Sequence, residues 1–252
     1  MSHFYVFRLP KNKRLLLLVV LAFLTALFIL LGPSRIISIF PFDQETALTK
    51  GNENEDRIAL TFNISWGEEK IFDILNVLDE HKVRATFFVS GEWAERHPQI
   101  MEEISEREHE VGMLGYRYKN YLEQDVEQIR RDISYAKEVF NKLGYREIKY
   151  IRPPSGQFNE EVIDIAERTG LEVIHWSINP RDWENPGVKE IAQTINEQAS
   201  PGDIVLLHAS DSAKQTAEAL STVIPSLTKS GTSFVTISEL LQEVKSEEKL
   251  VE

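Results

Sequence analysis

The chain is predicted to fold as an α/β protein built on a parallel sheet. Three observations lead there. From Arg57 onward, short apolar runs alternate strictly with longer amphipathic ones, in roughly seven strand–helix units. The short runs are apolar on both faces, as parallel strands covered by helices must be. Polar and turn-forming residues gather directly after those runs, where α/β folds place their functional loops. An open doubly wound sheet and a closed or distorted barrel satisfy this pattern equally.

The elements follow in order. RIALTF is the first strand, and IFDILNVLDEHK a helix with Ile71, Ile74, Leu75 and Leu78 on one face. ATFFV is a strand, followed by a helix opening near Pro98. EVGML is a short strand. DVEQIRRDISYAKEVFNKLG is the clearest helix, stopped by Gly144. IKYI is a strand, and NEEVIDIAERTG a helix with Asn159 as its cap and Gly170 as its stop. LEVIHW, DIVLLH and SFVTI are the remaining strands. GVKEIAQTINEQ, SAKQTAEALSTVIPSLTKSG and SELLQEVK are the remaining helices, the second interrupted at Pro225.

The N-terminus has a different character. Arg8, Lys11, Lys13 and Arg14 precede an uncharged apolar run, Leu15 to Leu31, close to the lower limit for a membrane-spanning helix. A cleaved signal peptide is the competing reading, but no small-residue cleavage site follows. An uncleaved single-pass anchor is expected, its basic flank in the cytoplasm and the remainder of the chain outside. The expected organisation is a basic tail over 1–14, an anchor over 15–32 and a linker over 33–55. A globular domain over 56–246 and a short tail over 247–252 complete it.

Composition narrows the chemistry. Formal net charge is −12, with basic residues spread along the 252-residue chain, so nucleic acid is not expected as a partner. There is no cysteine, which excludes disulfides, thiolate metal sites and thiol catalysis.

The loops after the strands carry the candidate residues. Asn63, Ser65 and Trp66 follow the first strand. Arg152 ends the fourth, before two prolines and a glycine that stiffen the corner, a setting that can aim a guanidinium at an oxyanion. Asp182 and Trp183 pair a carboxylate with an aromatic ring, as sugar binding uses them. His208 stands at the end of DIVLL as a general acid or base candidate. His175 reads as a core or supporting residue, and His3, His81, His97 and His109 as solvated.

Taken together, LTFNISWG, EVGMLGYRYKNY, IRPPSGQFN, WSINPRDW and DIVLLHAS resemble the polysaccharide deacetylase family, also called the NodB homology domain. The resemblance covers about residues 57 to 245. ISWG, RPPSG, the NPG of WENPG and HASDSAKQT are most similar to the sporulation-associated, PdaB-type branch. The resemblance implies a distorted (β/α)7-type barrel. It implies metal-dependent N-deacetylation of N-acetylglucosamine-type polymers, with zinc held by one Asp and two His. It also implies a second Asp as base and a late His that protonates the leaving amine.

Against that pattern, Asn63 stands where the base is expected and Ile64 where the metal-binding Asp is expected. Leu114 and Tyr118 replace the two histidines. Arg152 matches the arginine that orients the base. Asp182 and Trp183 match the fourth motif, Leu206 a groove residue, and His208 the general acid. No zinc or other metal cofactor is therefore expected, because Asn takes no proton at neutral pH and Ile, Leu and Tyr cannot assemble a zinc site.

The expected catalytic remnant is His208, Asp182 and Arg152. The expected ligand-binding set is Asn63, Trp66, Tyr116, Ser155, Phe158, Trp183 and Leu206. The expected partner is cell-wall or spore-envelope polysaccharide, and the expected location the cell membrane. Two functions compete: a binding or structural protein of the envelope, and a metal-independent hydrolase using Ser155, His208 and Asp182. A domain acting only through a protein partner is a third.

Overall fold

The computed structural model describes residues 47–242. The anchor expected over 15–32 lies outside them. Among the described residues no helix is long and apolar enough to cross a membrane.

Among the described residues seven parallel strands form one sheet: β1 (Arg57–Ile64), β2 (Thr86–Val89), β3 (Glu110–Met113), β4 (Tyr150–Ile151), β5 (Glu172–Val173), β6 (Ile204–His208) and β7 (Ser233–Phe234). Their order is β5-β4-β3-β2-β1-β6, with β7 also pairing β1. Helices cover the outside: α1 (Lys70–Glu80), α2 (Gly91–Arg96), α3 (Pro98–Glu106), α4 (Val126–Lys142), α5 (Glu160–Arg168), α6 (Val188–Gln198) and α7 (Thr216–Lys229). A further helix runs from residue 237 through 242.

The sheet curls until its two ends meet, and the fold is barrel-like. Beyond β5 the chain changes partners: Ser177 N donates to Ile204 O (3.0 Å), and Leu206 N to Ile178 O (2.9 Å). Nearer the bottom, residues 48–50 fill the gap between β5 and β6. Leu48 bridges Ile174 and Lys50 bridges Asp203. The C-terminal part of the expected linker is thus docked on the barrel.

Strand periodicity divides the core into two. Ile58, Leu60, Phe62 and Ile64 face the helices in the larger apolar cluster. Ala59 faces inward with Phe88, Leu114, Tyr150, Ile174 and Ile204. Continuing that inward face by steps of two brings Thr61 and Asn63 on β1, Arg152 after β4, and Leu206 and His208 on β6 toward one end of the barrel. It is the carboxyl end of the strands.

Several expectations need correction. The strands expected over 148–151, 171–176 and 233–237 each shrink to two residues. β4 loses Ile148 and Lys149 at its start and ends at Ile151 as expected, ahead of Pro153 and Pro154, which have no N–H to continue a ladder. After β5 the cause is the change of partner just described. Helix α2 was not anticipated; Ser90 caps it by accepting from Trp93 N (3.4 Å), and Pro98 starts the next helix. Helix α7 runs through Pro225 without interruption, because Val223, Ile224 and Leu227 on its buried face hold both halves against the core. His109 is buried (6% exposed), not solvated.

Candidate functional site

Arg152 forms the floor. Its side chain is fully buried. Nη1 donates to Asn63 Oδ1 (2.9 Å), and Nη2 to Thr61 Oγ1 and His175 O (2.9 Å each). Nε donates to Ile174 O (3.3 Å), and the guanidinium lies 4.1 Å over the Phe88 ring. All of these acceptors are neutral. Burial with no carboxylate beside it pushes the Arg152 pKa down to about 9, and neighbouring Tyr118 pulls the other way. The group is still a cation at neutral pH. Contrary to the expectation drawn from its stiff corner, Arg152 therefore does not aim at an outside oxyanion: it lies beneath the mouth of the fold and holds Asn63 in place.

Asp182 and His208 form a hydrogen-bonded pair at the rim. Asp182 is fully buried. Its Oδ1 meets His208 Nδ1 at 2.8 Å, and its Oδ2 accepts from His208 N (2.8 Å) and Thr216 Oγ1 (2.7 Å). With Nδ1–H engaged by the carboxylate, Nε2 is the nitrogen left to face a ligand. The Trp183 ring lies edge-to-face against His208, centroids 4.9 Å apart.

The loops carrying these groups are tied to one another. Asp211 Oδ1 accepts from Glu69 N and Lys70 N (2.9 Å each), and Oδ2 from Glu68 N (3.2 Å), capping α1 from the loop after β6. Burial raises the Asp211 pKa, but these backbone donors outweigh it and the net shift is downward. Gly67 has φ +82°, and a Cβ there would sit 2.5 Å from the Asp211 carboxyl carbon. Asn185 donates to Ser212 O (2.8 Å) and accepts from Lys214 N (2.9 Å), joining the NPG and HASDS segments.

A pocket of about 580 Å³ opens above this floor, its walls including Asn63, Trp66, Tyr118, Trp176, Trp183 and His208. Leu206 and Ser155 also line it. Trp66 is 54% exposed and stands on the rim as expected. Two expected residues fall elsewhere. Phe158 packs edge-to-face on His175 (5.4 Å) and is absent from the pocket wall. Tyr116 lies in an adjoining groove, against Tyr135 (4.4 Å). Ser155 adopts a left-handed backbone (φ 62°) at the rim, and no hydrogen bond joins its Oγ to His208 or Asp182.

Sequence reasoning missed Trp176 and the rim position of Tyr118. Trp176 stacks on His175 (3.6 Å), and a Cβ on Gly156 would meet its ring at 2.2 Å. The glycine after Pro153-Pro154-Ser155 was the available signal that a ring approaches the backbone there.

A zinc site of the family type does not fit these residues. Ile64 packs in the outer core and Leu114 in the inner one. Asn63 Oδ1 is occupied by Arg152. Among the described residues no group of three or more His, Asp and Glu is placed to hold a metal.

The parallel, barrel-like α/β scaffold matches that of Bacillus subtilis PdaA, a family 4 carbohydrate esterase, with a TM-score of 0.73 and 31% identity over 79% of this chain and 86% of that one. The profile of the polysaccharide deacetylase family matches residues 50–174. A peptidoglycan-N-acetylglucosamine deacetylase of Bacillus cereus is 35% identical over 192 residues, 75% of this chain and 90% of the relative. The peptidoglycan-N-acetylmuramic acid deacetylase PdaA of Bacillus subtilis is 32% identical, over 77% of this chain and 74% of its own length. Among solved structures, BA3943 of Bacillus anthracis, a family 4 carbohydrate esterase pseudoenzyme, superposes with a TM-score of 0.73. It shares 31% identity over 78% of this chain and 69% of its own. A mutant of BA3943 with restored enzymatic activity superposes equally well, at 0.73. The chain belongs to the polysaccharide deacetylase family.

Proposed function

We propose that this chain is a membrane-anchored polysaccharide deacetylase homologue that binds cell-envelope or spore glycan without zinc-dependent turnover. One observation carries the reading. The position expected to supply the base is an amide whose oxygen accepts from a fully buried arginine, while the positions expected to ligate metal include two core aliphatic side chains. Nothing in that arrangement generates a nucleophilic water. What remains suits binding: Trp66, Trp176 and Trp183 offer ring faces for sugars, and His208 offers a hydrogen-bonding Nε2 held in one tautomer by Asp182. The likeness to a family pseudoenzyme supports the same conclusion. The apolar run over 15–32 supports anchoring at the membrane.

The test is metal analysis of the purified chain together with acetate release from N-acetylglucosamine polymers. Sub-stoichiometric zinc, no acetate above background and retention on insoluble glycan are expected. Stoichiometric zinc with acetate release would overturn the reading.

A further inference from the structure

The pocket above Asn63 and His208 does not end at its own rim. Tyr118 and Ser155 line both it and a larger open groove of about 1040 Å³. The groove runs between the loop after β3 and the exposed face of α4. Its charge is unlike that of the molecule as a whole. The chain carries 40 acidic against 28 basic residues, yet Arg117, Lys119 and Arg131 all line this groove and all are exposed.

These cations lack carboxylate partners among the described residues. Arg131 Nε donates to a backbone carbonyl, that of Glu127, at 3.1 Å. The adjacent Arg130, by contrast, pairs with the Glu127 carboxylate (3.1 Å). Two carboxylates share the groove with the three cations. Asp132 is taken up by neutral donors: Tyr116 N (2.8 Å), Arg117 N (3.0 Å) and Tyr121 Oη (2.9 Å). Glu123 accepts from Asn120 Nδ2 at 3.3 Å. Tyr135, 45% exposed, adds an aromatic face beside Arg131.

We propose that this groove is a subsite for acidic groups carried on a glycan strand, carboxylate or phosphate, whose neighbouring sugar occupies the His208 pocket. The proposal rests on the glycan-binding reading and specifies which glycans. Three cations along a groove in an acidic protein attract a polyanion and repel nothing in a neutral sugar chain. The rings of Tyr118 and Tyr135 let the same strand lie against the groove through its apolar faces.

The test uses the full chain and labelled oligomers of equal length. One is N-acetylglucosamine alone, one alternates it with N-acetylmuramic acid bearing free carboxylates, and one is a glycerol-phosphate chain. The acid-sugar oligomer should bind roughly tenfold more tightly than the neutral one at low salt, as three exposed charge pairs allow. That advantage should vanish at about 0.5 M salt. Combined Arg117→Gln, Lys119→Gln and Arg131→Gln should abolish it and leave the neutral oligomer's affinity unchanged. Glycerol phosphate bound equally well, and lost in the same variant, overturns the proposal, because that chain carries no sugar for the His208 pocket. Acidic oligomer bound through these residues with no binding of the neutral one keeps the subsite and sinks the sugar-stacking reading of the pocket. Equal affinity for neutral and acidic oligomers overturns the proposal, as does an unchanged advantage in the variant. Capture of anionic lipid vesicles through these residues with no oligomer bound overturns it too.

Discussion

Arg152 shows how one substitution reshapes a site. A buried guanidinium needs its five N–H donors satisfied and its charge compensated. Thr61, Asn63 and the carbonyls of Ile174 and His175 accept from four of those donors. None of these partners carries a negative charge to compensate the guanidinium. Asn63→Asp would place a carboxylate at the 2.9 Å contact with Nη1. Stability at pH 7 should rise by on the order of 1–3 kcal/mol for a charge-assisted bond, read as a higher unfolding midpoint. The arginine depresses the folded-state pKa of the new aspartate. The gain is therefore present above about pH 4, the unfolded aspartate value, and is lost as pH falls through the lowered folded value. A lower midpoint in the variant at pH 7 would contradict this account of Arg152. Acetate release is not expected from Asn63→Asp, because Ile64, Leu114 and Tyr118 are untouched.

At the scale of elements, the site depends on loops held by one another. Asp211 is the main tie, since its carboxylate supplies the N-terminal cap that α1 lacks within its own sequence. Asp211→Ala should lower stability by about 1–2 kcal/mol, the usual range for a lost cap. It should also alter the fluorescence of Trp66, two residues from the capped amides. The cap's pKa is lowered in the folded state, so its contribution is full above about pH 4 and fades as pH drops through the folded value. Asp211→Asn, which keeps an acceptor oxygen, should recover part of the loss. Equal urea midpoints for the parent and the Ala variant would show that the loop is held by other bonds, such as Trp93 Nε1 to Gly67 O (2.7 Å).

For the whole molecule, acid stability is governed in part by a residue far from the site. His109 lies near the amino end of the barrel. Its Nδ1 accepts from Ala85 N (3.3 Å), its Nε2 has no hydrogen-bond partner among the described residues, and its ring faces Phe87. Burial pushes its pKa down to about 4, with Asp79 opposing and Arg107 assisting. The unfolded chain therefore binds a proton between about pH 6.5 and 4 that the folded chain refuses, and stability falls as pH drops through that window. The loss amounts to roughly 3 kcal/mol from this group. His109→Asn, which can keep an acceptor for Ala85 N, should flatten the fall in urea midpoint between pH 7 and 4.5. An equally steep fall in the variant would assign the acid sensitivity elsewhere.

Much of this was legible in the sequence, because the governing signals are local. Periods of two and 3.6, the Asn159 cap and the prolines after β4 are set by neighbouring residues. The expectation that the metal ligands and base are replaced rests on the same kind of signal: Asn63, Ile64, Leu114 and Tyr118 have the same side chains whatever the fold. Positions decided by non-local packing were not. Phe158 and Tyr116 read as ring faces for a ligand, and packing turned them onto His175 and Tyr135. Trp176 read as strand interior, and β5 leaving β4 after Val173 brought it to the pocket wall. Residue types and the order of elements thus came from the sequence by itself. Only the tertiary structure decided that Arg152 lies buried among neutral acceptors, and that one groove joins Ser155 to Arg131. Both follow from closing the barrel, which brings side chains about ninety positions apart, such as Asn63 and Arg152, within hydrogen-bonding distance.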